Sequence, residues 1–95
     1  MDGGDGGSNS PFRIEKRDHG NYIIRHPANE DDHKYSLVWL HGLGDSAEGM
    51  IDFFLDPNVL PLTTKVILPT APERPVTCNM GFPSTSWYDI KQLGY

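Results

Sequence analysis

The apolar residues of this chain fall into short runs separated by polar and proline-rich segments. Two runs rich in β-branched and aromatic residues predict short strands at residues 21–25 and 65–68, each followed by a proline that ends it. A third run, residues 35–40, is apolar at nearly every position. Such a run is typical of a strand in the middle of a sheet with both faces covered. The pattern therefore predicts about three strands.

One clear helix is predicted between the strand at residues 35–40 and the strand at residues 65–68. Met50, Phe53 and Phe54 are spaced i, i+3 and i+4, so they would form one apolar stripe. Asp45 is predicted to cap the helix, with Glu48 three residues later in a capping-box arrangement. The order strand, strand, helix, strand indicates a mixed sheet, and the predicted fold class is α/β.

The two ends of the chain are less regular. Residues 69–86 are rich in Pro, Thr, Asn and Ser and predict a long loop, which in a compact domain is usually functional or disordered. Residues 87–90, Trp-Tyr-Asp-Ile, predict a short strand or an anchored loop end. Residues 1–11 are predicted to be a disordered Gly/Asp/Ser tail, because they cannot bury enough apolar surface to offset their ordering entropy. The folded part is expected over residues 12–95.

Composition narrows the class of protein. The 95 residues suffice for one small domain, and a net charge of −5 with eight scattered Lys and Arg does not predict a nucleic-acid surface. No apolar run approaches the roughly 18 residues of a transmembrane segment, and the N-terminus does not resemble a secretory signal. The single cysteine, Cys78, excludes an internal disulfide and is interpreted as a passive thiol. The expected location is cytoplasmic.

The segment with the most chemical content is the turn His41-Gly42-Leu43-Gly44-Asp45, between the third apolar run and the helix. Its glycines let the main chain turn sharply and approach another group closely. The helix N-terminus just beyond adds unsatisfied N–H donors and a field that favours negative charge. The turn could therefore be an oxyanion hole or an anion site, or it could be an ordinary strand-to-helix connection.

The remaining polar residues do not predict a metal or a cofactor. The four histidines are nearly evenly spaced and lack the tight i, i+4 pairing of many metal sites. The acidic run Glu30-Asp31-Asp32 is most simply a solvated turn, because a calcium site needs more oxygen ligands placed around a loop. We therefore expect no cofactor and no metal.

Two blocks of sequence carry a resemblance when they are taken together. The first is Leu-His-Gly-Leu-Gly-Asp at residues 40–45, and the second begins as Leu-Pro-Thr-Ala-Pro-Glu-Arg-Pro-Val-Thr-Cys-Asn at residues 68–79 and runs on to Ser-Trp-Tyr-Asp-Ile at residues 86–90. In this order and spacing they resemble the N-terminal third of the acyl-protein thioesterase and lysophospholipase-like carboxylesterase family. Those proteins are serine hydrolases, and the resemblance implies an incomplete N-terminal portion of an α/β-hydrolase fold.

The resemblance also implies a role for each matching residue. The backbone N–H of Leu43 would be one donor of the oxyanion hole. His41 would belong to the strand-end turn rather than act as the catalytic base, Gly42 and Gly44 would allow the tight backbone, and Asp45 would cap the helix. The residues that would line the mouth of the acyl site are Val76, Thr77, Asn79 and Trp87. Taken alone, Trp87 fits a core position as well as a ligand contact.

The catalytic triad of that family has no counterpart in this sequence. A Gly-Xaa-Ser-Xaa-Gly nucleophile elbow is missing, since Ser46 and Ser84 each lack the second glycine, and no histidine follows His41. The sequence thus indicates an N-terminal fragment, from a truncated gene model or a partial transcript, of a serine hydrolase whose substrate is an acyl ester or thioester. The fragment is expected to be inactive alone. The alternatives are a non-catalytic acyl-binding or interaction fragment and an unrelated small anion-binding domain.

Overall fold

The computed structural model of the chain describes residues 10–92. Its main sheet has four strands in the order β1-β2-β4-β3: β1 (Phe12–Arg17), β2 (Tyr22–Pro27), β3 (Tyr35–Val38) and β4 (Thr64–Pro69). The pairs β1–β2 and β2–β4 are antiparallel, whereas β3 runs parallel to β4. One α-helix, α1 (Ala47–Phe54), connects β3 to β4. The predicted mixed α/β sheet is therefore present.

The first strand is not predicted by the apolar pattern. β1 carries four charged residues, and only Phe12 among its six residues is buried. Its register with β2 is continuous over six residue pairs, so backbone pairing rather than side-chain burial defines it. The chain reverses into β2 through Asp18 and His19, both at left-handed φ angles of 52° and 55°. The tail predicted before this strand lies outside the described residues as far as residue 9.

The third strand differs most from its prediction. β3 has four residues rather than six, and it lies at the edge of the sheet rather than in its middle. Tyr35 and Val38 are each 57% exposed, and Leu40 just beyond is 56% exposed. The pattern of residues 35–40 is thus that of a buried strand, but within residues 10–92 no element covers its outer edge.

The helix begins one residue later than predicted. Ser46 is its N-cap, since its hydroxyl accepts a hydrogen bond from the Gly49 N–H at 3.0 Å. The prediction of Asp45 as the cap is therefore wrong: its carboxylate accepts from the Ser46 N–H at 2.8 Å instead. Glu48 closes no capping box and pairs with Lys16, at 3.2 Å between carboxylate oxygen and Nζ.

The buried face of α1 is also rotated from the predicted stripe. Ala47, Ile51 and Phe54 are buried, at the i, i+4 and i+7 positions of one helical face. Phe53 is 56% exposed and Met50 is half-buried, so of the predicted stripe only Phe54 is fully in the core. The buried cluster that joins the helix to β2 and β4 consists of Ile23, Ala47, Ile51, Phe54, Val66 and Leu68.

A fully buried arginine ties the end of the helix to the sheet. The guanidinium of Arg25 in β2 donates to the carbonyl of Phe54 at 2.7 Å, to that of Thr64 at 3.0 Å and to that of Pro61 at 3.4 Å. It also lies 3.9 Å from the ring centroid of Phe12. Burial lowers the pKa of Arg25, because desolvation disfavours its charged form. The Phe54 carbonyl ends α1, where a cation stabilises the helix dipole.

The segment predicted as a long loop contains a hairpin. β5 (Glu73–Pro75) pairs antiparallel with β6 (Pro83–Thr85), and a 3-10 turn, Thr77–Asn79, lies between them. Residues 87–90 form no strand and are an anchored loop end, one of the two predicted possibilities. Over residues 10–92, no helix has the length and apolar character needed to cross a bilayer, and no group of three or more His, Cys, Asp and Glu side chains could hold a metal ion.

Candidate functional site

The turn of residues 41–45 lies between the end of β3 and the start of α1, and the hairpin holds it from one side. The Gly44 N–H donates to the Thr85 carbonyl at 2.9 Å, and the Thr85 hydroxyl donates to the Asp45 carbonyl at 2.7 Å. Gly44 has a φ of 81°, a conformation that glycine adopts without steric cost. β6 therefore fixes the C-terminal half of the turn.

Glycine at position 42 is not required by a left-handed backbone conformation, as it is at position 44. Its φ lies outside the left-handed region, and a Cβ built on it would meet nothing within 4 Å. The tight backbone assigned to both glycines is thus needed only at Gly44. The open space beside Gly42 leaves that side of the turn accessible to another molecule.

His41 lies buried behind the turn, with 3% of its surface exposed. Its Nε2 accepts the Ala71 N–H at 2.9 Å, so the ring proton belongs on Nδ1, which donates to the Gly42 carbonyl at 2.7 Å. Both ring nitrogens are therefore engaged. In this arrangement the imidazole has no free lone pair with which to act as a general base.

Trp87 packs against the same histidine. Its indole N–H donates to the His41 carbonyl at 2.9 Å. The two ring centroids are 5.0 Å apart with an interplanar angle of 37°. Because the tryptophan is half-buried in this contact, much of its surface supports the turn and the rest remains open.

The main-chain N–H of Leu43 is oriented but unused. Among residues 10–92 it has no acceptor, and the residue is 39% exposed. The carbonyl of its own peptide unit, that of Gly42, accepts both the His41 Nδ1–H and, at 3.1 Å, the Asp45 N–H. In a trans peptide the C=O and N–H point in opposite directions, so the Leu43 N–H is directed away from the buried imidazole. A preoriented donor without an acceptor, on an exposed residue, suits an oxyanion hole.

The residues expected at the mouth of an acyl site belong to the hairpin loop. Val76 is fully buried, so a substrate has no access to its side chain in this structure. Thr77 is engaged by Asp89, whose carboxylate accepts the Thr77 N–H at 2.9 Å and its hydroxyl at 2.8 Å. Asn79 is exposed and, of these three, is the most accessible. The prediction of Val76 as a direct contact therefore has no support.

Residues 86–90, here called the strap, connect the hairpin to the turn. The Cys78 N–H donates to the Ile90 carbonyl at 2.7 Å, and Arg74 Nε donates to the Ser86 carbonyl at 3.0 Å. The two hydrogen bonds from Thr77, that of its backbone N–H first, hold the pKa of Asp89 below its ordinary value of 3.8. With Trp87 against His41, the strap joins the loop of the hairpin to the back of the turn.

Sequence reasoning missed three residues of this site, namely Ala71, Thr85 and Asp89. Ala71 acts through its backbone N–H, which leaves no trace in the pattern of side-chain types, whereas Thr85 acts through both its backbone carbonyl and its hydroxyl. Asp89 could have been found from its place in the Ser-Trp-Tyr-Asp-Ile block, since a carboxylate near the end of a polar loop often binds backbone N–H groups.

A polar cleft of about 400 Å³ lies on another side of the hairpin. Its lining includes Asp18, Asn21 and Glu73 together with Thr85, and it contains neither Leu43 nor Trp87. Since two carboxylates line it and the unused N–H does not, the cleft is not suited to hold an acyl carbonyl near the turn.

Comparison with known proteins identifies the class. Residues 21–94 match the phospholipase/carboxylesterase family, so the chain belongs to that family. It is 38% identical over 74 residues to acyl-protein thioesterase 1 of Candida albicans, an alignment that covers 75% of this chain and 32% of that protein. It is 47% identical over 60 residues to acyl-protein thioesterase 1 of Mycosarcoma maydis, covering 61% of this chain and 25% of that protein.

The fold is similar to a solved member of the same group. The crystal structure of Zea mays acyl-protein thioesterase 2 superposes with a TM-score of 0.65 at 38% identity, covering 84% of this chain and 31% of that one. The chain thus spans about a quarter to a third of the length of these relatives. Its sheet, helix and turn form part of an α/β-hydrolase fold.

Proposed function

We propose that this chain contributes the oxyanion-hole side of a serine hydrolase that cleaves carboxylic esters or thioesters. The Leu43 N–H would donate to the oxygen that becomes negative in the transition state. One such donor typically contributes about 3 kcal/mol of transition-state stabilisation. The observation that carries the proposal is the Leu43 N–H, which has no acceptor among residues 10–92, in a turn whose carbonyls at His41, Gly42 and Asp45 are all hydrogen-bonded.

In the proposed reaction a serine hydroxyl attacks the acyl carbon while a histidine accepts its proton. The carbonyl π electrons move onto the oxygen, and this oxyanion accepts the Leu43 N–H. Collapse of the intermediate breaks the bond to the alcohol or thiol, which leaves with the proton from the histidine. Water then hydrolyses the acyl-serine by the same steps, which regenerates the serine and releases the carboxylic acid.

We infer that the chain does not itself carry the groups that transfer protons in this scheme. Its sequence holds no Gly-Xaa-Ser-Xaa-Gly elbow and no histidine after His41, and both nitrogens of His41 are engaged. We therefore propose that the chain alone does not turn over an ester. The names of the relatives support an acyl thioester as substrate, and an acyl ester fits the same chemistry; we propose no cofactor, metal or nucleic-acid partner.

The test uses the chain alone and a chimera in which it replaces the matched third of Zea mays acyl-protein thioesterase 2. We expect the purified chain to hydrolyse a p-nitrophenyl ester no faster than background. In the chimera, Leu43→Pro removes the N–H and should lower kcat about 100-fold or more. Leu43→Ala keeps the N–H and should retain most of the activity.

Two outcomes would contradict the proposal. Equal kcat values for the Leu43→Pro and Leu43→Ala chimeras would show that this donor is not used. Turnover by the isolated chain that a serine-directed fluorophosphonate abolishes would show that the chain carries its own nucleophile. Saturable binding of an acyl chain without turnover in either protein would favour the non-catalytic acyl-binding alternative.

A further inference from the structure

We infer that His41 is a positioning residue: its imidazole holds the Gly42 carbonyl and thereby sets the direction of the Leu43 N–H. The catalytic consequence of this inference rests on the proposed function, whereas the hydrogen-bonded arrangement itself does not. The arrangement runs from the Ala71 backbone through the imidazole to the peptide between Gly42 and Leu43.

The first step fixes the proton on the imidazole. The Ala71 N–H lies 2.9 Å from His41 Nε2, and a backbone N–H can only donate, so Nε2 must carry the lone pair. A neutral imidazole has one N–H, which then belongs to Nδ1. With the residue 3% exposed, water has little access to compete for either nitrogen.

The second step fixes the peptide. The Nδ1–H donates to the Gly42 carbonyl at 2.7 Å, and the Asp45 N–H donates to the same oxygen at 3.1 Å. A carbonyl oxygen has two lone pairs, and both are then used. Rotation of this peptide by half a turn would break both bonds and would place the carbonyl oxygen where the Leu43 N–H now points. That flip would replace a donor with an acceptor and repel an oxyanion.

Trp87 supports the histidine from the other side. Its indole N–H holds the His41 carbonyl at 2.9 Å, so the peptide preceding Gly42 is also fixed. Its ring lies against the imidazole, at 5.0 Å between centroids, and limits rotation of the His41 side chain. The buried ring is therefore held by a backbone donor, a backbone acceptor and an aromatic neighbour.

The first arm of the test reads the imidazole directly in the full 95-residue chain. We expect the ¹⁵N shifts of the His41 ring to be those of the Nδ1–H tautomer, with a scalar coupling across the hydrogen bond to the Gly42 carbonyl carbon. An Nε2–H tautomer, or the absence of a coupling to the Gly42 carbonyl carbon, would overturn the inference whatever the activity of the protein.

The second arm uses two substitutions that each keep one of the two hydrogen-bonding groups of the imidazole, either the donor or the acceptor. In the chimera described above, His41→Asn places an amide N–H near the position of Nδ1, whereas His41→Gln places an amide oxygen near the position of Nε2. We expect Asn to retain most of kcat and Gln to lower it about tenfold or more, with KM little changed. Equal losses for the two variants would overturn the inference.

The third arm asks whether His41 acts through Leu43. If it does, His41→Gln should have no further effect on kcat in the Leu43→Pro background, where the N–H is already absent. A purely structural role would lower activity by the same factor in both backgrounds and would contradict the inference. Failure of the proposed function appears differently, as a Leu43→Pro chimera that remains fully active while the tautomer is still Nδ1–H.

Discussion

The two sides of the connection from β3 to α1 are held by different forces. On the core side, α1 packs against β2 and β4 through the buried apolar residues Ile23, Ala47, Ile51, Phe54, Val66 and Leu68. On the site side, the turn of residues 41–45, the hairpin and the strap are joined by directional hydrogen bonds through His41, Thr85 and Trp87. Burial of apolar surface has no preferred direction, whereas each hydrogen bond fixes an angle.

This difference separates stability from geometry. Burying one large apolar side chain contributes about 1.5–3 kcal/mol, and a typical hydrogen bond contributes about 1 kcal/mol net. Substitutions on the core side should therefore unfold the chain. Substitutions on the site side should leave it folded with a misdirected turn.

The largest effect is expected for Phe54→Ala on the core side. Phe54 is 2% exposed, and its truncation should lower the free energy of unfolding by about 3–5 kcal/mol. Urea titration followed by circular dichroism measures the change. The neighbouring Phe53→Ala is the control: because Phe53 is 56% exposed, it should cost less than about 1 kcal/mol. Equal losses at the two positions would contradict the assigned helix face.

The next largest effect is expected for Arg25→Met, which should lower the free energy of unfolding by about 3 kcal/mol. Methionine keeps much of the buried volume but leaves the Phe54 and Thr64 carbonyls without their donor, and each unsatisfied buried acceptor is costly. The same urea titration measures it. Arg74→Met is the control, since Arg74 is half-buried and its Nε donates only to the Ser86 carbonyl. An unchanged or raised stability in Arg25→Met would show that desolvation of the guanidinium outweighs its hydrogen bonds.

Trp87→Phe tests the site side, where we expect a loss of about 1 kcal/mol in unfolding free energy because one hydrogen bond is removed. The ¹⁵N signals of the His41 ring and the Leu43 amide should shift. Trp39→Phe is the matched control, since within residues 10–92 the Trp39 indole N–H has no acceptor and its ring contacts Phe54 rather than the turn. Identical Leu43 shifts in both variants would argue against a role of Trp87 in supporting His41 and the turn.

The smallest effect is expected for Thr77→Val, and it should depend on pH. The lowered pKa of Asp89 means that its carboxylate stabilises the fold fully above the ordinary value of 3.8, and that this contribution is lost as the pH falls through the lowered folded value. Valine removes the hydroxyl donor and keeps the backbone N–H. The Asp89 pKa should therefore rise part of the way to its ordinary value, which an NMR titration of its carboxyl carbon measures. A pKa that does not move would mean that the hydroxyl contributes nothing.

Much of the fold could be predicted because it depends on local patterns. Strands β2 and β4, the helix and the loop character of residues 69–86 follow from apolar spacing and from proline content. β1 could not be predicted, because four of its six residues are charged and it is defined by backbone pairing with the adjacent strand β2 rather than by an apolar pattern. The hairpin in residues 73–85 was not predicted, because its strands have only three residues each and contain prolines.

The candidate site divides in the same way. Glycine at position 44 and the block of residues around Trp87 are features of the sequence itself, and they carry the resemblance to the family. The use of His41 Nε2 depends on Ala71, which lies 30 positions further along the chain. The burial of Val76 depends on how the hairpin closes. No local pattern records such contacts.

Residue types at short spacing are thus sufficient to predict the α/β class, the turn between strand and helix, and the membership of the phospholipase/carboxylesterase family. Contacts made on folding are needed to learn that Ser46 rather than Asp45 caps α1, that β3 lies at an edge, and that the imidazole of His41 faces the Gly42 carbonyl. These features depend on which groups meet after folding, because a hydrogen bond or a buried surface needs a partner that the local sequence does not name.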